Sequence, residues 1–263
     1  NVQYLSEIGT LYTPGPDLSP LAWQRASVGS ASWSICGVTH TTCSASVMES
    51  VVSYLSTPLE SWDALVCTSQ AAKEVVTRLL DEQESYLAQR LGAKTFTRPQ
   101  LPIIPLGVDC ASLCFTPQQR QLARTQLAIP EGDMVVLYAG RLSFHAKAHP
   151  LPMYTALQAL THKHQVHIVH FGVFASIALE KGFKEGAQAL CPNVTCHWLD
   201  GSVSVNHALA WQSADVFCSL ADNIQETFGL TPIEAMAAGL PVVVSDWNGY
   251  KDTVRHEVDG FRV

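Results

Sequence analysis

Glu226 and Glu234 stand eight positions apart in the run Glu226-Thr227-Phe228-Gly229-Leu230-Thr231-Pro232-Ile233-Glu234. Directly after it comes Ala-Met-Ala-Ala-Gly-Leu-Pro-Val-Val-Val-Ser. The segment reads as loop, helix, stop and buried strand, with one carboxylate in the loop and the other on the first helical turn. A helix N-terminus suits phosphate, because its first N–H groups lack intrahelical partners and its dipole is positive there. Thr231 and Glu234 also match a capping box with Pro232 at the first helical position, and Gly239 then Pro241 ends the helix. Glu234 therefore has an ordinary structural role open to it. Glu226 precedes the loop, belongs to no regular element and has none.

A second group lies upstream. Gly140-Arg141 closes the apolar run Met134 to Ala139, and Lys147 follows six positions after Arg141. The glycine permits close backbone approach. Arg141 offers a planar fork for phosphate and Lys147 a point charge. The ordinary alternative is two solvated surface cations; placement at the end of a strand favours an anion site. His40 ends its own strand in Val38-Thr39-His40-Thr41-Thr42. It is either a loop histidine or a hydrogen-bonding partner for a substrate hydroxyl.

Metal readings are weaker. His145 and His149 are spaced for one helix face, but Pro150 spoils the helix and no third ligand is evident. His162, His164, His167 and His170 cluster without a partner set, as do Cys191, Cys196 and His197. No Asp-x-Asp occurs to hold a metal on a diphosphate, and no Gly-x-Gly dinucleotide fingerprint occurs. The expectation is no metal and no cofactor.

The elements that must position these residues alternate. In the first part, Trp33 to Val38 is apolar, Ser44 to Leu55 has helical spacing, and Ala64 to Cys67 is a strand. Ser69 is placed to cap a helix from Ala71 to Leu80, and Pro102 to Pro105 reads as a short strand. The first thirty residues give little periodic signal. After a linker with one helix (Pro117 to Leu127), strands are expected at Met134–Ala139, Val166–Phe171, Val194–Leu199, Val216–Leu220 and Pro241–Ser245. Helices are expected at Met153–Thr161, Ala175–Leu190, Val205–Gln212 and Leu230–Ala238. Apolar strands alternating with helices imply parallel sheets with helices on both faces. Ligands bind such sheets beyond the strands' carboxyl ends, where His40, Arg141, Asp200 and the loop after Leu220 all fall.

Bulk properties set limits. The 263 residues accommodate one or two domains, and the net charge of −7 argues against nucleic acid and against simple electrostatic docking on anionic lipid. Peripheral membrane contact is left open. No apolar run reaches the length of a membrane-spanning helix, and no signal peptide is visible. The eight cysteines form no Cys-x-x-Cys, and several lie in apolar runs. The chain reads as cytoplasmic.

The combination resembles the retaining, metal-independent glycosyltransferases of family 4, which have the GT-B fold. The resemblance rests on Gly140-Arg141-Leu142 with Lys147, on Ala214-Asp215-Val216-Phe217, and on the block from Glu226 to Val243. Ile104-Pro105-Leu106-Gly107-Val108-Asp109 is similar to the family's interdomain junction. It spans about residues 35 to 263 and is strongest from 134 onward. It implies an α/β chain of two Rossmann-like domains: 1–108 as a partial, acceptor-side N-terminal domain and 109–263 as a nearly complete donor-binding domain. In such enzymes residues like Arg141 and Lys147 hold the donor diphosphate, one like Glu226 contacts the transferred sugar, and one like Glu234 binds the ribose. Gly140 lies against the phosphates, and backbone amides from Phe228 through Gly229 and Leu230 to Thr231 approach phosphate and sugar. His40 would reach the sugar, and Val203 would pack on the base. The family's first strand, its glycine-rich acceptor loop and its returning C-terminal helices are not recognised, so the expectation is a fragment truncated at both ends, whose activity alone is in doubt.

The function expected is transfer of a sugar, hexosyl in type, from a nucleoside diphosphate sugar to an unidentified acceptor: a sugar, a lipid-linked sugar or a small molecule. Two rivals are an epimerase or phosphorylase on the same scaffold and a non-catalytic nucleotide-sugar-binding domain.

Overall fold

The computed structural model describes residues 2–263. The chain divides into two compact units, Asn1–Leu106 and Gly107–Val263.

The first unit is built on a three-stranded parallel sheet of order β1-β2-β3, with β1 at Thr10–Tyr12, β2 at Ser34–Val38 and β3 at Ala64–Val66. Helices α1 (Val2–Ile8), α2 (Ser19–Ala26), α3 (Ala45–Ser53) and α4 (Gln70–Leu91) accompany it. Leu18, Trp33, Ile35, Tyr54, Leu65, Val76 and Leu80 fill its core. The Ser44 and Ser69 hydroxyls cap α3 and α4, accepting from Val47 N–H at 3.3 Å and Ala72 N–H at 2.9 Å. The expected helix from Ala71 to Leu80 runs eleven residues further, to Leu91, and stops at left-handed Gly92.

Two expectations change here. The first thirty residues carry α1, β1 and α2. The inward face of α2 is Ala22 and Arg25 rather than an apolar stripe, so periodicity could not show it. The strand expected at Pro102–Pro105 reduces to one bridge, Cys67 to Ile103. Proline has no N–H, so the pairing is limited to Cys67 N–H on Pro102 O and Ile104 N–H on Cys67 O.

The second unit starts with α5 (Pro117–Gln126) and carries a six-stranded parallel sheet of order β6-β5-β4-β7-β8-β9. The strands are β4 Met134–Ala139, β5 Val166–Gly172, β6 Thr195–Asp200, β7 Val216–Ser219, β8 Val242–Val244 and β9 Gly260–Arg262. Helices α6 (Leu151–Leu160), α7 (Ile177–Leu190), α8 (Ser204–Ser213), α9 (Leu230–Ala237) and α10 (Tyr250–Thr253) connect them. Val135, Leu137, Ile168, Val169, Phe217 and Val242 are buried within the sheet. Parallel strands covered on both faces read as continuous apolar runs.

Asp215 fastens this unit. Its carboxylate accepts from Val135 N–H at 2.8 Å and from Arg124 at 2.5 Å, and also pairs with Arg120. Arg124 in turn donates to the Ser213, Glu131 and Asp133 carbonyls, so α5 is pinned to the amino ends of β4 and β7. No helix among the described residues is long and apolar enough to cross a membrane.

Candidate functional site

Strand order decides where a ligand can enter the second unit. From β4 the chain moves outward to β5 and β6, then returns to place β7 on the other side of β4. The connections after β4 and β7 therefore leave in opposite senses, and the crevice between them lies at the carboxyl ends of both strands. The sequence sends Gly140, Arg141 and Lys147 into the first of these loops and Glu226 into the second.

The two loops meet. Lys147 Nζ lies 2.9 Å from Glu226 Oε2, between residues 79 positions apart. Glu226 is almost fully buried, and about a quarter of the Lys147 side chain is exposed, at 26 %. Lys147 is set by a turn in which its N–H bonds Ser143 O at 2.9 Å. The backbone of Glu226 is held by Gly249 N–H, 3.2 Å from its carbonyl. Arg141 is exposed beside them in sequence, after Gly140, whose φ of +142° no bulkier residue readily adopts. Gly140 N–H still bonds Phe171 O at 3.0 Å, so the ladder between β4 and β5 persists up to the loop.

Helix α9 corrects the capping expectation. Its N-cap is Gly229 at φ +87°, and no side chain caps it. The helix begins at Leu230, so Thr231 and Pro232 lie inside the first turn and Glu234 is not the partner in a capping box. Gly229 is required on two counts: its φ is left-handed, and a Cβ would meet the Tyr250 ring at 2.4 Å. Tyr250 is fully buried and bonds Ser219 at 2.8 Å, so it cannot move aside cheaply. The first amides of α9, at Leu230 and Thr231, thus carry no side-chain cap.

Glu234 sits half-buried on this helix. Burial raises its carboxyl above the ordinary range, while nearby His207 pulls it back. His207 belongs to α8 and accepts from Trp211 Nε1 at 3.0 Å on its Nε2. Phe228 is buried, and Val203 stands exposed as the N-cap of α8. The second unit thus brings Lys147 and Glu226 into contact and sets the amides of Leu230 and Thr231 directly after them. His40 belongs to the first unit, exposed at the end of β2, beside Gly15.

The remaining histidines of interest have structural partners. His167 bridges Asp133 at 2.9 Å and His197 at 3.0 Å. His170 accepts from or donates to the Tyr154 hydroxyl at 2.8 Å and stacks on Trp198, and burial pushes it down to about 3. The site also contains residues that sequence reasoning passed over: His207, and Asn223 and Trp247 in the loops after β7 and β8. Asn223 and Trp247 each follow a strand end, as site residues do, but His207 lies within α8 and carries no such signal.

Residues 119–263 match the model of the family described as glycosyl transferases group 1. The chain belongs to that family. A D-inositol 3-phosphate glycosyltransferase of Geodermatophilus obscurus is 30% identical over 167 residues, covering 61% of this chain and 36% of that protein. A phosphatidyl-myo-inositol mannosyltransferase of Mycobacterium leprae is 51% identical over 49 residues, covering 18% of this chain and 13% of that protein. Among solved structures, Anabaena HepE in complex with UDP-glucose superposes with a TM-score of 0.74 at 19% identity, covering all of this chain and 66% of that one. The chain spans about a third of the length of the Geodermatophilus relative and about two thirds of the HepE chain. The group 1 chain thus has the α/β, parallel-sheet GT-B fold expected of it.

Proposed function

We propose that the protein transfers a hexosyl group from a nucleoside diphosphate sugar to an acceptor with retention of anomeric configuration, as family 4 enzymes do. The observation that carries this reading is the Lys147–Glu226 contact at 2.9 Å, across the switch point between β4 and β7. One cation for phosphate and one carboxylate for a sugar hydroxyl are brought together where such sheets bind nucleotides.

Breaking the bond between sugar and diphosphate builds negative charge on the leaving phosphate. Lys147, held by Glu226, and the uncapped amides of α9 are donors set in place for that charge, and exposed Arg141 adds a second cation. Glu226 holds the transferred sugar. Glu234, kept half-buried on α9, accepts from the ribose hydroxyls, with Val203 against the base and Gly140, Phe228 and Gly229 shaping the backbone around the phosphates. His40, at the end of β2, is assigned to the transferred sugar by the family resemblance. Retention by front-face attack lets the departing phosphate take the acceptor's proton, so no separate general base is assigned. No metal or other cofactor is assigned a role. UDP-glucose in HepE makes UDP-sugars the first donors to try, and the inositol-directed relatives make polyol phosphates, free or lipid-linked, the first acceptors. Eight cysteines as thiols rather than disulfides favour a reducing, cytoplasmic setting.

Full-length protein incubated with UDP-, GDP- and ADP-sugars and such acceptors should release nucleoside diphosphate and form an acceptor-linked sugar of unchanged anomeric configuration by NMR. An isomerised donor without transfer would replace this reading with an epimerase. Donor binding without any turnover would replace it with a binding domain.

A further inference from the structure

Asn223 lies in the loop after β7, three residues before Glu226. Its Nδ2 donates to the main-chain carbonyl of Lys147 at 2.9 Å. Its Oδ1 accepts from Gln225 N–H at 3.0 Å. Its own carbonyl accepts from the Trp247 indole Nε1 at 3.0 Å and from Glu226 N–H at 3.3 Å. One residue thereby ties together the loops after β4, β7 and β8. Those first two loops diverge from the switch point, so their spacing is not set by the sheet alone.

The chemistry of the tie is specific to an amide. Asparagine presents a donor and an acceptor on one short, nearly rigid group. Aspartate keeps the acceptor for Gln225 and loses the donor for Lys147. Lys147 has a long flexible side chain with much rotamer freedom, so fixing its backbone narrows the positions its ammonium can reach. A misplacement of one ångström is enough to cost catalysis dearly.

We infer that Asn223 is a positioning residue for donor binding: it holds the Lys147 backbone against the Glu226 loop so that the ammonium meets the diphosphate. This rests on the proposed role of Lys147 as the diphosphate ligand. Trp247 completes the tie by anchoring the Asn223 carbonyl to the loop after β8.

The test is calorimetric titration of UDP, GDP and ADP into full-length wild type, Asn223→Ala, Asn223→Asp, Lys147→Ala and the Asn223→Ala/Lys147→Ala double variant, with a melting curve for each. For the nucleotide that wild type binds best, Asn223→Ala and Asn223→Asp should each weaken binding about tenfold, a difference of about 1.4 kcal/mol. In the Lys147→Ala background the Asn223→Ala change should add less than about twofold, because the route through Lys147 is gone. Equal losses in both backgrounds would mean that Asn223 acts independently of Lys147 and would overturn the inference, as would unaltered binding in both Asn223 variants. If Asn223→Ala melts several degrees lower, the near-isosteric Asn223→Asp decides. Wild type that binds none of the three nucleotides would overturn the donor-site reading itself, a different result from wild-type binding that the Asn223 variants leave unchanged.

Discussion

Two ion pairs, Arg25–Asp63 in the first unit and Lys147–Glu226 in the second, are built differently. Arg25 and Asp63 in the first unit are both wholly inaccessible, joined at 2.6 Å and 2.7 Å in a two-pronged contact. The rest of their bonding goes to main chain: Arg25 donates to the Trp33 and Pro58 carbonyls, and Asp63 accepts from Ile35 and Glu60 N–H. Lys147 and Glu226 in the second unit share one bond, at 2.9 Å, and among the described residues their side chains make no other hydrogen bond or ion pair. An ammonium has three donors and a carboxylate about four acceptor positions, so most of this pair's capacity is unspent. The first pair is committed to the fold. The second keeps capacity for the ligand proposed above, and that contrast is what the following experiments test.

The strongest way to break the comparison is at Arg25. Arg25→Ala leaves Asp63 charged and buried and deprives two carbonyls of partners, which should cost about 3–5 kcal/mol. Chemical denaturation should show the loss. Replacing both partners by apolar residues, often harmless for a simple buried pair, should fail here too, because four main-chain groups would lose their bonds. A double apolar variant as stable as wild type would show that the pair is not the staple described.

Lys147→Ala should act the other way round. Turnover of full-length protein should fall by about a hundredfold or more, corresponding to about 3 kcal/mol of lost charge stabilisation, while its melting temperature falls less than that of Arg25→Ala, because Lys147 is partly exposed and Glu226 alone is left without a partner. Turnover near wild type would remove Lys147 from the phosphate site. A large drop in melting temperature would place its pair with the structural one.

How much of this could be read beforehand follows from the physics of each element. Strand β4 matches its expected Met134–Ala139 span, because a central parallel strand is apolar on both faces. The end of α4 could not be read: beyond Leu80 the sequence turns to Asp81-Glu82-Gln83-Glu84, and the helix continues there with polar, largely solvent-facing turns. Strand β9 and helix α10 are three and four residues long, too short for any period to register. In the site, each residue type was legible but not the contact. Lys147 and Glu226 are distant in sequence and meet only through the strand reversal at β4. The capping alternative for Glu234 fails: Ser/Thr-x-x-Glu is a capping pattern wherever it occurs, but the left-handed Gly229 starts the helix before Thr231. Without that cap, the Glu234 side chain makes no hydrogen bond or ion pair among the described residues.

Glu234 therefore offers the finest test of whether a site charge costs the fold something. Burial raises its folded pKa above the ordinary carboxylate value of about 4.3. The folded state then holds a proton that the unfolded state has released between those two values, so stability falls as pH rises through that window and the penalty is fully present above the folded value. Glu234→Gln removes the charge. It should raise the melting temperature slightly at pH 7, leave it unimproved at a pH below the unfolded value, and weaken nucleoside diphosphate binding by about tenfold through loss of a charged acceptor for the ribose. His207 favours the charged carboxylate and so works against the gain in stability; His207→Ala should make the charged Glu234 costlier, and replacing Glu234 by glutamine in that background should stabilise more. A Glu234→Gln variant that loses stability at pH 7 would return the residue to the structural side of the comparison, alongside Asp63.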